Sequence, residues 1–126
     1  MLDIKNEIDV WTTLAPSAKT ATANGTGVDL SGVEGAVLYV QAGTITDGTH
    51  TISLQESDDN TTFTNVAAQD LIGTLAVLTS NSVQRIGYKG IKRYVRAVTT
   101  VSGATTGGLY AATIIRGGSA RKKPLA

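Results

Sequence analysis

The 126-residue sequence contains no cysteine, a single histidine and two prolines, and its aromatic content is only 5%. Without cysteine the chain can form neither a disulfide nor a thiolate metal site, which fits a reducing compartment. One histidine also leaves an imidazole metal site short of ligands. Stability must therefore come from packing or from assembly with other chains.

Long hydrophobic runs are also missing. No apolar stretch approaches the roughly 20 residues that span a bilayer. The first residues, MLDIKNEIDVW, carry acids where a secretory signal peptide would be basic, and no apolar region follows them. We therefore expect a protein that is made in a cytoplasm, is not exported through a signal peptide and has no membrane partner.

The residues that are abundant are those of a folded β protein. Hydrophobic residues make up 41% of the chain and its net charge is +1, which excludes a disordered class. Its length favours one domain with one modest core. Threonine, valine and isoleucine favour strands, and the 14 glycines favour the turns between them.

Charge is distributed unevenly along the chain. All ten acidic residues lie between Asp3 and Asp70, and nine of the eleven basic residues lie at or after Arg85. Such asymmetry can mark a nucleic-acid-binding tail. It is also explained by pairing of the two halves, within one chain or between copies. We favour pairing, because the bases are spread through strand-like sequence and only residues 121–123 form a cluster.

Short alternating segments separated by turn signals indicate the fold. Residues 35–43 are apolar on both faces, as in a central strand, and residues 50–57 alternate with Ile52 and Leu54 inward. Further strands are predicted over 74–79, 91–101 and 107–118. We predict an all-β, antiparallel β-sandwich of jelly-roll type, with an extended N-terminal arm (1–17), a sandwich domain (18–118) and a flexible basic tail (119–126).

The motifs that could carry chemistry are better explained as structure. His50 begins a strand beside a turn and is expected on the surface. Asp58, Asp59 and Asn60 do not have the spacing of an EF-hand, and a side-chain-capped turn explains them. The glycines of NGTGVDL lack the helix of a phosphate-binding loop. We therefore predict no catalytic, cofactor or metal residues, no small-molecule substrate and no enzyme activity.

Two segments carry a resemblance to a known family. LQESDDNTTFTNVAAQDLIG (54–73) and IGYKGIKRYVRAV (86–98) resemble small proteins of tailed bacteriophages that are encoded close to the major capsid protein. The resemblance extends over roughly residues 20 to 117. It implies a virion protein, and the role that fits best is a capsid decoration (cement) protein, which binds the outside of the phage head. The major capsid protein would then be its partner.

A decoration role implies a homotrimer, because capsid shells offer threefold sites. The residues we expect to contact the shell or a sister subunit come from the arm and from the basic segment: Ile4, Ile8, Trp11, Leu14, Arg85, Lys89, Lys92, Arg93 and Arg96. Along a strand Arg93 and Arg96 point to opposite faces, which argues against a single nucleic-acid-binding stripe. The alternative functions are a head–tail connector, a tail component, or a jelly-roll module that binds carbohydrate or a host surface.

Overall fold

The computed structural model describes residues 3–119, which form a sandwich of strands. The only helix among them is one 3₁₀ turn, Ala68–Asp70. The strands are β1 (Ile8–Lys19), β2 (Ala23–Asn24), β3 (Val28–Asp29), β4 (Val33–Ile45), β5 (Thr49–Ser57), β6 (Thr64–Asn65), β7 (Leu71–Ile72), β8 (Val83–Tyr88), β9 (Tyr94–Ser102) and β10 (Gly108–Ser119).

The strands form two antiparallel sheets, which confirms the predicted all-β sandwich. Sheet A has the order β1-β10-β4-β8-β7, and sheet B has the order β2-β9-β5-β6 with β3 also on β9. The apolar segment 35–43 lies in β4, the middle strand of sheet A, as its pattern predicted. The last long strand, β10, lies between β1 and β4, so the first and last strands of the described residues are neighbours in one sheet.

Alternating side chains from both sheets fill the core. Sheet A contributes inward residues such as Leu38, Val40 and Ile114, and sheet B contributes Ile52, Leu54, Val95 and Ala97. Each larger aliphatic side chain buried in this way contributes about 1.5–3 kcal/mol relative to leaving it in water. The predicted inward positions Ile52 and Leu54 are confirmed.

Turn residues join the strands where the sequence indicated. Gly48 has φ of +88°, a left-handed conformation that favours glycine, in the turn between β4 and β5. The preceding Asp47 accepts hydrogen bonds from the backbone N–H groups of Thr105, Thr106 and Gly107. The β4–β5 turn is thereby attached to the β9–β10 turn.

Three segments had been assigned from sequence to an arm, a strand and a tail. Residues 8–17, assigned to an arm from sequence, lie in edge strand β1, with irregular register between Thr12 and Ser17. The strand predicted over 74–79 is wrong: those residues form a loop, in which the Leu78 side chain is buried in the core and the Leu78 N–H donates to the His50 carbonyl of β5 at 2.9 Å. The tail predicted over 119–126 lies outside the described residues except for Ser119.

Candidate functional site

The outer face of sheet B is polar. Cross-strand neighbours on β5 and β9 place Thr51 beside Thr100 and Gln55 beside Arg96. The Arg96 guanidinium donates two hydrogen bonds to Gln55 Oε1, at 2.8 and 3.0 Å, and lies 4.0 Å from the centre of the Phe63 ring. The polar groups of such a face can form hydrogen bonds with water, as expected for the solvent side of an antiparallel sheet.

The outer face of sheet A is different, because an apolar row crosses all five of its strands. Register pairs Val10 with Ile115, Ile115 with Val37, Val37 with Gly87, and Gly87 with Ile72. Val10 and Ile72 are 57% and 61% exposed. Nothing among the described residues covers this row, and an apolar surface of this extent commonly marks an interaction site.

A groove of about 980 Å³ lies on this face, at the end of the sheet where β1 begins. Gly35, Gly87 and Gly117 line it, and their missing side chains lower the floor between the strands. Ile8 lines it from β1, while Ile72 and Ile91 line it from the opposite side. A Cβ on Gly35 would meet no atom within 4 Å, so the space above it is open.

The loop between β8 and β9 brings basic side chains to the groove. Lys89, Lys92 and Arg93 line it together with Ile91, which is 95% exposed. Lys92 pairs with Asp58 at 2.8 Å and Arg93 pairs with Asp29 at 2.9 Å, and each partner carboxylate raises the pKa of its base. The Lys89 side chain makes no polar contact with the part of the chain that the structure describes. Glu34 also lines the groove, so its lining carries three bases and one acid, and Lys89 is the base that no described carboxylate pairs.

The residues predicted as contacts are distributed over several surfaces. Ile8, Lys89, Lys92 and Arg93 line the groove, and Arg85 is exposed on the same face beside Tyr39. Ile4 is 59% exposed in the turn before β1. The other three lie elsewhere: Trp11 packs beside Arg116, Leu14 belongs to the core, and Arg96 is on sheet B.

The three ion pairs described all join the acidic part of the chain to the basic part. They are Asp58–Lys92, Asp29–Arg93 and Asp9–Arg116. The intrachain version of the charge-pairing hypothesis is therefore confirmed. Hydrogen bonds from Arg93 and from Ser31 hold the pKa of Asp29 far below its usual range, and hydrogen bonds from Arg116 and Trp11 lower that of Asp9.

His50 is fully buried, so the expected surface position was wrong. Its Nε2 lies 2.9 Å from the carbonyl oxygen of Asp47, which can only accept, so Nε2 carries a proton. Nδ1 lies 2.9 Å from the Tyr110 hydroxyl oxygen, which also contacts the Thr99 hydroxyl. The ring is held in the core by a set of satisfied hydrogen bonds, in a position that a substrate cannot reach.

The remaining carboxylates act as turn caps. Asp59 accepts from the backbone N–H groups of Thr61 and Thr62, each at 2.9 Å, and from the Ser57 hydroxyl. These bonds, led by that from Thr62, lower its pKa to about 2. The capped turn predicted from sequence is confirmed. Among residues 3–119, no three histidine, cysteine or acidic side chains converge as metal ligands would, and no helix has the length and hydropathy to cross a membrane.

The groove itself was not predicted. The sequence did contain a signal for it, since glycine within an apolar strand often marks a close approach or a gap in the surface. Gly35, Gly87 and Gly117 are such residues. They lie far apart in sequence, and only the register of β4, β8 and β10 brings them onto one face.

Comparison with family models finds no match, and comparison with curated proteins finds no relative. The fold, however, is similar to several solved structures. The PBSX exported protein XepA superposes with a TM-score of 0.58 at 19% identity, over 94% of this chain but only 42% of that one. The SPBc2 prophage-derived protein YomS gives 0.53 at 13% identity, over 87% and 93% of the two chains. A subunit of Bacillus endospore appendages, described as disulfide-linked pili, gives 0.50 at 15% identity, over 90% of each. At these identities the likeness establishes a shared fold.

Proposed function

We propose that this chain is a structural protein of a bacteriophage particle, made in the bacterial cytoplasm, that acts as a decoration protein on the outside of the head. The observation that carries this proposal is the contrast between the two outer faces. One is polar, and the other presents an apolar row and a groove with a basic rim. A surface of this kind contributes binding area without chemistry.

The ionisable groups fit the same function. Asp59 and Asp47 cap turns, His50 is inside the core, and three of the bases are paired within the chain. In these roles the named groups support the fold. The protein is proposed to act by contact and not by catalysis.

The structural neighbours support a phage origin. YomS is described as prophage-derived, and the appendage subunit belongs to an assembled filament. Together with the resemblance of residues 54–73 and 86–98, these descriptions favour a protein that works in many copies. The proposed partner is the major capsid protein, and the proposed form on the shell is a homotrimer of about 39 kDa, three times 13.0 kDa.

The test uses heads of the encoding phage, prepared without this chain. Purified protein is added, bound copies are counted by quantitative mass spectrometry, and head melting is followed by calorimetry. We expect binding over the whole shell and a higher melting temperature, because a ligand that binds only the assembled state stabilises it. An unchanged melting temperature at saturating protein contradicts decoration. About six or twelve copies per particle would instead indicate a connector or tail ring.

A further inference from the structure

The groove on sheet A is concave, so a ligand that fills it must have a group that projects into it. Its floor is formed around Gly35 and Gly117, and its sides carry the aliphatic groups of Ile8, Ile72 and Ile91. Such a site suits an aliphatic side chain on an exposed turn. The rim carries Lys89, Lys92 and Arg93 against the single acid Glu34, and this excess of bases favours a ligand that also carries carboxylates.

The chain has a segment with these properties. Asp3–Glu7 precedes β1 as a turn, closed by the Glu7 N–H, which donates to the Ile4 carbonyl at 2.9 Å, and by the Asn6 amide, which donates to Asp3 at 2.6 Å. Ile4 projects from this turn and is 59% exposed. Two carboxylates, against the one ammonium of Lys5, give the turn a net negative charge. None of its side chains lines the groove of its own copy, but the Glu7 carbonyl oxygen lies at the groove's edge, 3.0 Å from where a Cβ on Gly117 would be.

We propose that the groove binds the acidic turn Asp3–Glu7 of a second copy, with Ile4 inserted above the glycine floor and Asp3 and Glu7 toward the basic rim. This inference rests on the proposed assembly function and names the partner of its groove. The groove is incomplete without the neighbour, since the apolar group that fills it comes from another chain.

The contact uses different surfaces on the two copies. A head-to-tail contact of this type closes into a ring when the rotation between copies permits, and a ring of three matches the proposed trimer. Closure also raises the effective concentration of each turn near the next groove, which compensates for a small individual contact. Its charged component makes the assembly weaker at high salt.

The test combines two full-length variants that each remove one half of the contact. Ile4→Ser removes the inserted side chain, and Gly35→Glu fills the groove and repels the acidic turn. Gly35 tolerates a side chain because its surroundings are open and its backbone is extended. Matched controls are Val77→Ser, another half-exposed aliphatic residue outside the groove, and Ser53→Glu, on the polar face of sheet B. Mass is measured by light scattering, and folding by circular dichroism.

We expect about 39 kDa for the unmodified chain and both controls, and 13.0 kDa for each test variant. An equal mixture of the two test variants restores one intact contact, between the Gly35→Glu turn and the Ile4→Ser groove. Because this pair cannot close into a ring, it is measured at concentrations well above those at which the unmodified chain assembles, where a complex of about 26 kDa, twice the mass of the chain, is expected. A structural defect in either variant would not be rescued by the other.

Two results would overturn the inference. One is an unmodified chain that stays at 13.0 kDa up to about 1 mM. The other is an oligomer whose mass neither substitution changes, which would place its contact on another surface. Binding of the chain to heads is measured separately, so the decoration function can stand when this contact fails, and the contact can stand when decoration fails.

Discussion

At the scale of single residues, the polar groups in the core each have a defined partner, just as the apolar groups have defined packing contacts. Tyr110 is 2% exposed, and its hydroxyl joins His50 on β5 to Thr99 on β9. Nearby, the Lys19 ammonium lies 5.4 Å from the centre of the Tyr110 ring, and burial lowers its pKa. Buried polar groups stabilise a fold when each finds its partner and are costly when one partner is lost.

We therefore predict that Tyr110→Phe destabilises the protein by about 1–3 kcal/mol, because His50 Nδ1 is left buried without its hydrogen-bond partner. The ring itself, and most of its packing, are retained. Urea unfolding followed by circular dichroism measures the change. Tyr39→Phe is the matched control, since that hydroxyl bonds Gln41 at the surface and its loss should change stability little. Equal effects of the two substitutions would contradict the role assigned to the buried network.

At the scale of elements, the short strand β7 depends on a glycine in its neighbour. Leu71 and Ile72 pair with Tyr88 and Gly87, and Ile72 lies over the bare Gly87 backbone. A Cβ placed on Gly87 would lie 3.1 Å from the Ile72 Cβ, closer than ordinary van der Waals contact. The same glycine lines the groove, so Gly87 both leaves room for Ile72 of the edge strand and forms part of the groove surface.

We predict that Gly87→Val displaces Ile72 and costs about 1–3 kcal/mol in unfolding free energy, as overpacking does in other tight contacts. Amide hydrogen exchange at Leu71 and Ile72 should accelerate, because the β7 pairing is the first to loosen. Gly35→Val is the control on the adjacent strand. Its Cβ meets no atom of its own chain, and valine favours a strand, so the stability of the single chain, measured at a dilution that separates the copies, should be unchanged or slightly higher. Similar losses from both variants would rule out the Ile72 contact as the cause.

At the scale of the whole molecule, partners distributed over the fold hold four carboxylates ionised. The pKa values of Asp9, Asp29, Asp47 and Asp59 are all lowered from 3.8. Arginine side chains are the main cause for Asp9 and Asp29, and backbone N–H groups for Asp47 and Asp59. The native state therefore releases protons that the unfolded chain retains in moderately acidic solution.

This difference predicts the direction of the pH dependence. A carboxylate with a lowered native pKa contributes stability that is fully present above its unfolded value near 3.8 and is lost as pH falls through the native value, about 2 for Asp59. Urea unfolding between pH 6 and pH 2 should show a loss that begins below about pH 4. Asp59→Asn should lower stability at neutral pH and flatten the curve. Stability that rises on acidification would contradict the assignment.

Much of the fold follows from local pattern. Alternation places Ile52 and Leu54 inward on any half-buried strand, and an apolar segment such as 35–43 requires a central position. Asp59 caps its own turn through backbone groups two and three residues away, so its role is local too. The loop at 74–79 was misassigned because its threonine, leucine and valine satisfy strand propensity, whereas the structure gives it a backbone hydrogen bond from Leu78 to His50 of β5 and no strand assignment.

His50 and the groove could not be predicted for a different reason. A histidine beside a turn is usually exposed, and only the approach of Tyr110, 60 residues later in the chain, provides a partner that permits its burial. Likewise, five of the nine predicted contact residues lie on one face and four do not. Leu14 turned inward where the register of β1 shifts, a change that no repeating pattern records.

The sequence by itself determined that this chain is an antiparallel β protein, where most of its strands and turns lie, and which halves carry opposite charge. These properties arise from neighbours within a few residues, or from composition. Only the tertiary structure decided which strands pair, and so placed Gly35, Gly87 and Gly117 beneath one groove and acids beside distant bases. Register between strands far apart in sequence depends on the packing of the entire sandwich, and the functional surface is a product of that register.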